Sequence, residues 1–283
     1  NINNGKKRGN GRINCIAFDP NNQDIIWVGA PAGGLWKSID GGSNWSTNTD
    51  DLPVIGVSHI AINPNNTQIM YIVTGDANAY DTYSIGVLKS IDGGNSWNTT
   101  GLSYSIEEEH VVNKLIINPN FSDSLFAITN SKILISADAG DSWTAVANGR
   151  WRDIEFKPGN PSTIYAAKQG GGSNIYRSKD GGANWTIIND GMNGGRDRPL
   201  IAVTNDNPDV VYGLFSANDD GFHGLYKSTN SGDSWVLQSN SPNILGRDHD
   251  GSSIGGQSWY NLSLGVASNN ENLVYVGGIN LWR

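Results

Sequence analysis

The sequence has little of what most functional classes need. Cys15 is the only cysteine in 283 residues, so no internal disulfide forms. Its place in an apolar run marks it as a small core residue rather than a reactive thiol. Basic residues are outnumbered, 19 Lys and Arg against 27 Asp and Glu, and the net charge of −8 lacks the footprint expected for nucleic acid or an anionic membrane surface. No run of about 18 apolar residues occurs, so no membrane-spanning helix is expected. Long 3.6-periodic runs are missing too, which argues against helical repeats of any length. No Gly-x-Ser-x-Gly elbow sits between a strand and a helix, and no helix follows Gly170, Gly171 and Gly172, so that run is a loop rather than a phosphate cradle. The chain begins at Asn1 without Met or signal peptide, as a processed or trimmed chain would.

What is abundant is repetition. Ser38-Ile39-Asp40-Gly41-Gly42-Ser43-Asn44-Trp45 returns as Ser90/Asp92/Gly94/Trp97, Ser136/Asp138/Gly140/Trp143, Ser178/Asp180/Gly182/Trp185 and Ser228/Asn230/Gly232/Trp235. The pattern Ser-x-Asp-x-Gly-x-x-Trp reads as a hairpin turn. The Asp accepts backbone N–H bonds, the Gly takes positive φ, and the Trp buries its ring where the next strand starts. Each copy follows an apolar run such as Gly34-Leu35-Trp36-Lys37. Before that come two further strands joined by an Asn/Asp/Pro turn, as in His59-Ile60-Ala61-Ile62, Asn63-Pro64-Asn65-Asn66 and Met70-Tyr71-Ile72-Val73. The Trp residues recur at intervals of 52, 46, 42 and 50, and four strands per unit at that period predict a β-propeller blade. A sixth unit begins at Trp259-Tyr260 and reaches Leu281-Trp282-Arg283. The expected architecture is therefore all-β, with five full blades over residues 12–283 and a sixth cut off in its third strand, part of a larger propeller. Residues 1–11, with Lys6, Lys7 and Arg8, read as an N-terminal arm or connection.

These motifs resemble the Asp-box (BNR) repeat of β-propellers in sialidases, sortilin-type receptors, xyloglucan-cleaving glucanases and secreted bacterial surface proteins of the Bacteroidetes type. The resemblance covers nearly the whole chain. It implies that the box residues Asp40, Asp92, Asp138, Asp180, Asn230, Trp45, Trp97, Trp143, Trp185 and Trp235 are structural. It also implies that ligands meet the opposite face, built from loops between strands two and three and between blades. In the glucanases a catalytic carboxylate lies two residues before a Gly-Gly pair, and here Pro31 holds that place. The sialidases' start motif, Arg-Ile-Pro, is replaced by Arg12-Ile13-Asn14. Arg150 or Arg152, Arg196 or Arg198, and Arg247 fall on successive inter-blade loops, as an arginine clamp of that family would.

The expected ligand residues are Tyr80, Tyr83, Trp151, Arg196, His223, Arg247, Asp248, His249, Gln257, Trp259 and Tyr260. They lie on loops and combine aromatic rings with donors, and the stretch from Arg247 to Tyr260 is the longest inter-blade connection. No catalytic residue, metal or cofactor is assigned. The sequence reads as a secreted or cell-surface recognition module for polysaccharide or a surface protein, without nucleic-acid binding or membrane insertion. The alternative is a xyloglucanase-like or sialidase-like glycoside hydrolase acting on the same face.

Overall fold

The computed structural model describes residues 11–283. The arm expected over residues 1–11 lies outside the described residues except for Gly11. Six antiparallel sheets follow one another along the chain, each a simple up-and-down meander. Five have four strands. The first runs through β1 (Cys15–Asp19), β2 (Asn22–Ala30), β3 (Gly34–Ser38) and β4 (Ser46–Thr47). The sixth has three, Ser263–Ala267, Asn270–Gly277 and Leu281–Trp282. The innermost strands, led by Cys15–Asp19, Val57–Ile62, Val112–Ile117, Arg150–Lys157, Pro199–Val203 and Ser263–Ala267, pack against one another in that order. This is a six-bladed β-propeller. The expected five blades and a remnant become six blades, because the last sheet packs as a blade in its own right: Val276 and Leu262 share a buried cluster with Leu214, Phe222 and Leu245 of blade 5.

Second strands of the blades flanked on both sides are buried on both faces. Met70–Thr74 and Leu125–Thr129 are buried throughout, and such strands carry apolar runs rather than alternation. Blade 1 differs on one side. Ile16 and Phe18 are 60% and 57% exposed, whereas Ile60, at the position equivalent to Ile16 in blade 2, is 5% exposed. The same repeat sequence thus meets a neighbour in one blade and solvent in the other. Cys15 packs at the edge of the blade 1–2 core, and burial pushes its thiol up to about 12, as an inert core residue requires.

The repeated hairpins have the predicted wiring. In the first, Ser38 Oγ donates to Asp40 Oδ1 at 2.9 Å and accepts from Gly42 N at 2.8 Å, while Asp40 Oδ1 accepts from Asn44 N at 2.8 Å. The other three Asp copies repeat this, and Asn230 Oδ1 accepts from Ser234 N at 3.0 Å in place of a carboxylate. The Trp residues obey the expectation less closely. Only Trp235 is fully buried, at 3%, and its indole N–H reaches Ile188 O rather than its own turn. Trp45, on the uncovered side of blade 1, is 40% exposed and donates to Gly42 O.

A second device locks three of the blades, each to the next. Lys37 Nζ lies 4.6 Å from the Trp27 ring centre and donates to Gly93 O in the hairpin of blade 2. Lys89 over Tyr71 does the same to Ala139 O, and Arg177 reaches Ser231 O. The hairpin glycine must therefore be bare. A Cβ on Gly94, at φ 81°, would run into the Trp27 ring.

The hairpin carboxyls predict acid sensitivity. Asp40, Asp92, Asp138 and Asp180 are each held down to about 2, first by the side-chain donor four residues on, then by backbone N–H and the Ser hydroxyl. Folded values below the unfolded value of about 4 mean that their contribution is present above about pH 4 and lost as pH falls toward 2. Asp92→Asn, which copies the turn at Asn230, should keep the fold at neutral pH and make the denaturant midpoint less dependent on pH below 4. An acid limb as steep as that of the parent would show that this carboxyl does not stabilise the turn.

Candidate functional site

In a four-stranded meander the turns joining strands one to two and three to four lie at one end. Loops joining strands two to three, and one blade to the next, lie at the other. The loop face is therefore opposite the repeated hairpins. Its centre is built around one loop of blade 2, residues 75–84. Asp76, 1% exposed, organises that loop: its carboxylate accepts from the backbone N–H of Asn78 (3.1 Å) and Ala79 (3.2 Å), from Asn14 Nδ2 (3.3 Å), and from the Arg12 guanidinium. The wrapped loop holds Tyr80 at φ 60°, a left-handed conformation uncommon outside glycine.

Blades 1, 4 and 5 send side chains to this loop, the connection into blade 3 accepts from Ser84 N at His110 O (2.9 Å), and blade 6 joins through Arg198 and Arg12. From the start of blade 4, Arg150 Nη2 donates to Tyr80 Oη at 2.8 Å, and the guanidiniums of Arg150 and Arg152 lie 5.9 and 5.8 Å from the Tyr80 ring centre. Arg152 also donates to Ala77 O at 3.2 Å and to Gln169 Oε1 at 2.6 Å, and Gln169 donates in turn to Asp197. From the approach to blade 5, Arg198 Nη2 donates to Asn78 Oδ1 at 2.6 Å, and its Nη1 donates to the carbonyls of Ser258 and Trp259. Those carbonyls belong to a single helical turn, Ser258–Asn261, that leads into blade 6. There Tyr260 donates to Gln257 at 2.7 Å and lies beneath Arg12 of blade 1, 5.8 Å from ring centre to guanidinium. Trp259 is half exposed, its ring 4.2 Å from that of Tyr260.

The charge at this centre is positive. Among the described residues Arg150, Arg152 and Arg198 form no ion pair with a carboxylate. Burial pulls Arg198 and Arg152 below the ordinary arginine value, and like charge between them adds to the effect on Arg198. Burial alone would push the Tyr80 phenol up, but Arg152 and Arg150 outweigh it and hold the phenol below its ordinary value. The acidic members are already engaged, Asp76 by Arg12 and its own turn, and Asp197 by Gln169.

The expected site residues divide accordingly. Tyr80, Gln257, Trp259 and Tyr260 come together here, and Tyr83 is half-buried on the same loop. Trp151 does not belong. It is 1% exposed and packed edge-on to Tyr176 at 5.1 Å, so it is a plug between blades 3 and 4. Arg196 is corrected likewise: 8% exposed, it lies over Phe215 and donates to the carbonyls of Ser173 and Asn193. His223 stacks on Tyr226 at 6.3 Å, away from the Tyr80 loop. Arg247, Asp248, His249 and Asp250 are exposed on a loop tied to itself, with Asp248 N held by Ser253 and Asp250 by Ser252. Missing from the expected set were Arg12, Asn78, Arg150, Arg152, Gln169 and Arg198. The one signal was the alternation Arg150-x-Arg152 and Arg196-x-Arg198 on two inter-blade connections.

No family model matches the chain. Over 152 residues it is 25% identical to a xyloglucanase of Paenibacillus sp, a match covering 50% of this chain and 15% of that protein. In structure it is similar to an ancestral GH74 enzyme, with a TM-score of 0.72 and 18% identity over 95% of this chain and 35% of the other. The GH74 enzyme of Niastella koreensis gives 0.62 at 18% identity, covering 96% and 52%. The chain shares the β-propeller fold of these GH74 enzymes. YCF48 bound to D1 peptide shares it too, with a TM-score of 0.62 and 20% identity over 95% and 75%. The chain thus spans about a third to a half of these GH74 enzymes.

Proposed function

We propose that this β-propeller is a carbohydrate-recognition module of a secreted or cell-surface protein, binding glycan at the centre of its loop face without cleaving it. One observation carries this reading. Loops and connections of several blades converge around the Tyr80 loop, and they bring guanidiniums and aromatic rings rather than two facing free carboxylates. Glycoside hydrolysis by the common route needs such a pair, one to protonate the leaving oxygen and one to attack or to activate water. The resemblance to xyloglucanases puts one member at Pro31, which is buried in the turn between β2 and β3 and has no proton to exchange. Read as Asp boxes, the repeated hairpins belong to the scaffold.

Similarity to the Paenibacillus xyloglucanase favours a second reading, a glycoside hydrolase. The two separate in one experiment: affinity electrophoresis on a panel of polysaccharides alongside reducing-end release from xyloglucan. Retardation without release is expected. Release that survives repurification would replace the binding module with the hydrolase.

A further inference from the structure

The centre of the loop face holds more positive charge than the chain balances. Arg152 and Arg198 are 8% and 5% exposed, and buried guanidiniums are ordinarily paired with carboxylates. Among the described residues no Asp or Glu forms an ion pair with them or with Arg150. Arg198 Nε, also buried, has no hydrogen-bond partner among the described residues. The group standing among the guanidiniums is the Tyr80 hydroxyl, a neutral acceptor, carried on a backbone held at φ 60°. A non-glycine residue in that region marks a place where the surroundings impose a conformation, and such places cluster at ligand sites.

We propose that this centre binds an acidic saccharide, with a uronate carboxylate seated against Arg150 and Arg152 in the position the Tyr80 hydroxyl now fills. The assignment rests on the reading of this face as a glycan site and specifies the class of glycan. A carboxylate is planar and matches a guanidinium fork with two parallel charge-assisted bonds, which a phenol does not. The sugar is favoured over an acidic peptide by what surrounds the arginines. Trp259, half exposed next to the carbonyl that Arg198 holds, offers a flat apolar ring against which a pyranose face packs. An acidic peptide offers the arginines the same carboxylate but no pyranose face to lay on the half-exposed Trp259.

The test is calorimetric titration of the whole chain with an oligogalacturonate and with a neutral xyloglucan oligosaccharide, at low and raised ionic strength. The acidic probe should bind at least about tenfold more tightly, and salt should weaken it. Arg150 is exposed, so Arg150→Gln removes one charge without a cavity and should weaken the acidic probe about tenfold. Tyr80→Phe should tighten it, because the hydroxyl no longer competes for Arg150. Lys132→Gln, an exposed charge on the third strand of blade 3, controls for diffuse attraction and should change affinity less than about twofold. Equal affinity for both probes overturns the acidic assignment and leaves glycan recognition standing. Binding of neither probe, nor of any other polysaccharide, overturns both. Equal losses in Arg150→Gln and Lys132→Gln overturn the placement at Arg150.

Discussion

Lys114→Met should lower the stability of the propeller by about 3 kcal/mol, a fall in melting temperature of roughly 6–12 °C for a chain of this size. Lys114 stands on the inner strand of blade 3 and reaches blade 4, with Nζ at 2.7 Å from Asp153 and 2.6 Å from Glu155. Burial opposes its charge, but the two carboxylates outweigh that and hold it protonated well above the ordinary lysine value. Burial pushes the Glu155 carboxyl up; Lys114 opposes this and Asp153 adds to it. Across the same region, burial and then Lys114 push His59 down to about 3, so among the described residues the lysine is the positive partner of the two carboxylates. Removing it leaves two carboxylates facing each other with little solvent. Asp153 keeps two backbone donors, Ile154 N and Ile201 N, and Glu155 keeps partial access to water, which sets the cost at the lower end for a broken buried pair. A second variant isolates the cause. Lys114→Met with Glu155→Gln removes the repulsion and should recover most of the loss. No recovery would mean that packing of the lysine stem, not charge, supports the axis.

Trp151→Ala should cost about 3–5 kcal/mol, the range for a fully buried large aromatic. The indole sits between blades 3 and 4 with Phe126, Ile128, Ile133, Ile154 and Ile164, and its ring lies 6.1 Å from that of Trp185. Because the indole N–H has no hydrogen-bond partner, Trp151→Phe removes volume but no bond and should cost clearly less. Any loss of glycan affinity in Trp151→Phe should be no more than about twofold, since the ring is buried between the blades. Denaturant unfolding and the titration described above measure both effects. A stable Trp151→Ala protein with abolished binding would return this residue to the site.

The repeated hairpins were legible from residues alone, because the turn is made within eight consecutive positions: the Ser hydroxyl, the Asp or Asn side chain and the Gly N–H satisfy one another locally. The blade period and the all-β class follow from the same repeats. The clasp from Lys37 or Lys89 to the next hairpin was not legible, since a lysine before the turn has no local partner and finds one only when blades stack. Blade count illustrates the limit: strand patterns announce a sixth unit, but only packing against Leu214 and Leu245 makes three strands a blade.

At the candidate site the division falls between neighbouring residues. Arg150, Trp151 and Arg152 are consecutive, and sequence composition places all three on one loop-face connection. The structure makes them part of a strand, where side chains alternate between faces, so the arginines turn to the Tyr80 loop and the tryptophan into the core. The phase of that alternation is decided by what each face meets, across separations of 70 residues for Arg150 and Tyr80 and 120 for Arg198 and Asn78. By itself the sequence determined the turns, the strands and their repetition, because those depend on short-range hydrogen bonds and glycine conformations. The tertiary structure alone decided which loops meet at the axis and that Arg150, Arg152 and Arg198 meet there without a carboxylate partner among the described residues, because the stacking of successive blades sets distances that no local pattern encodes.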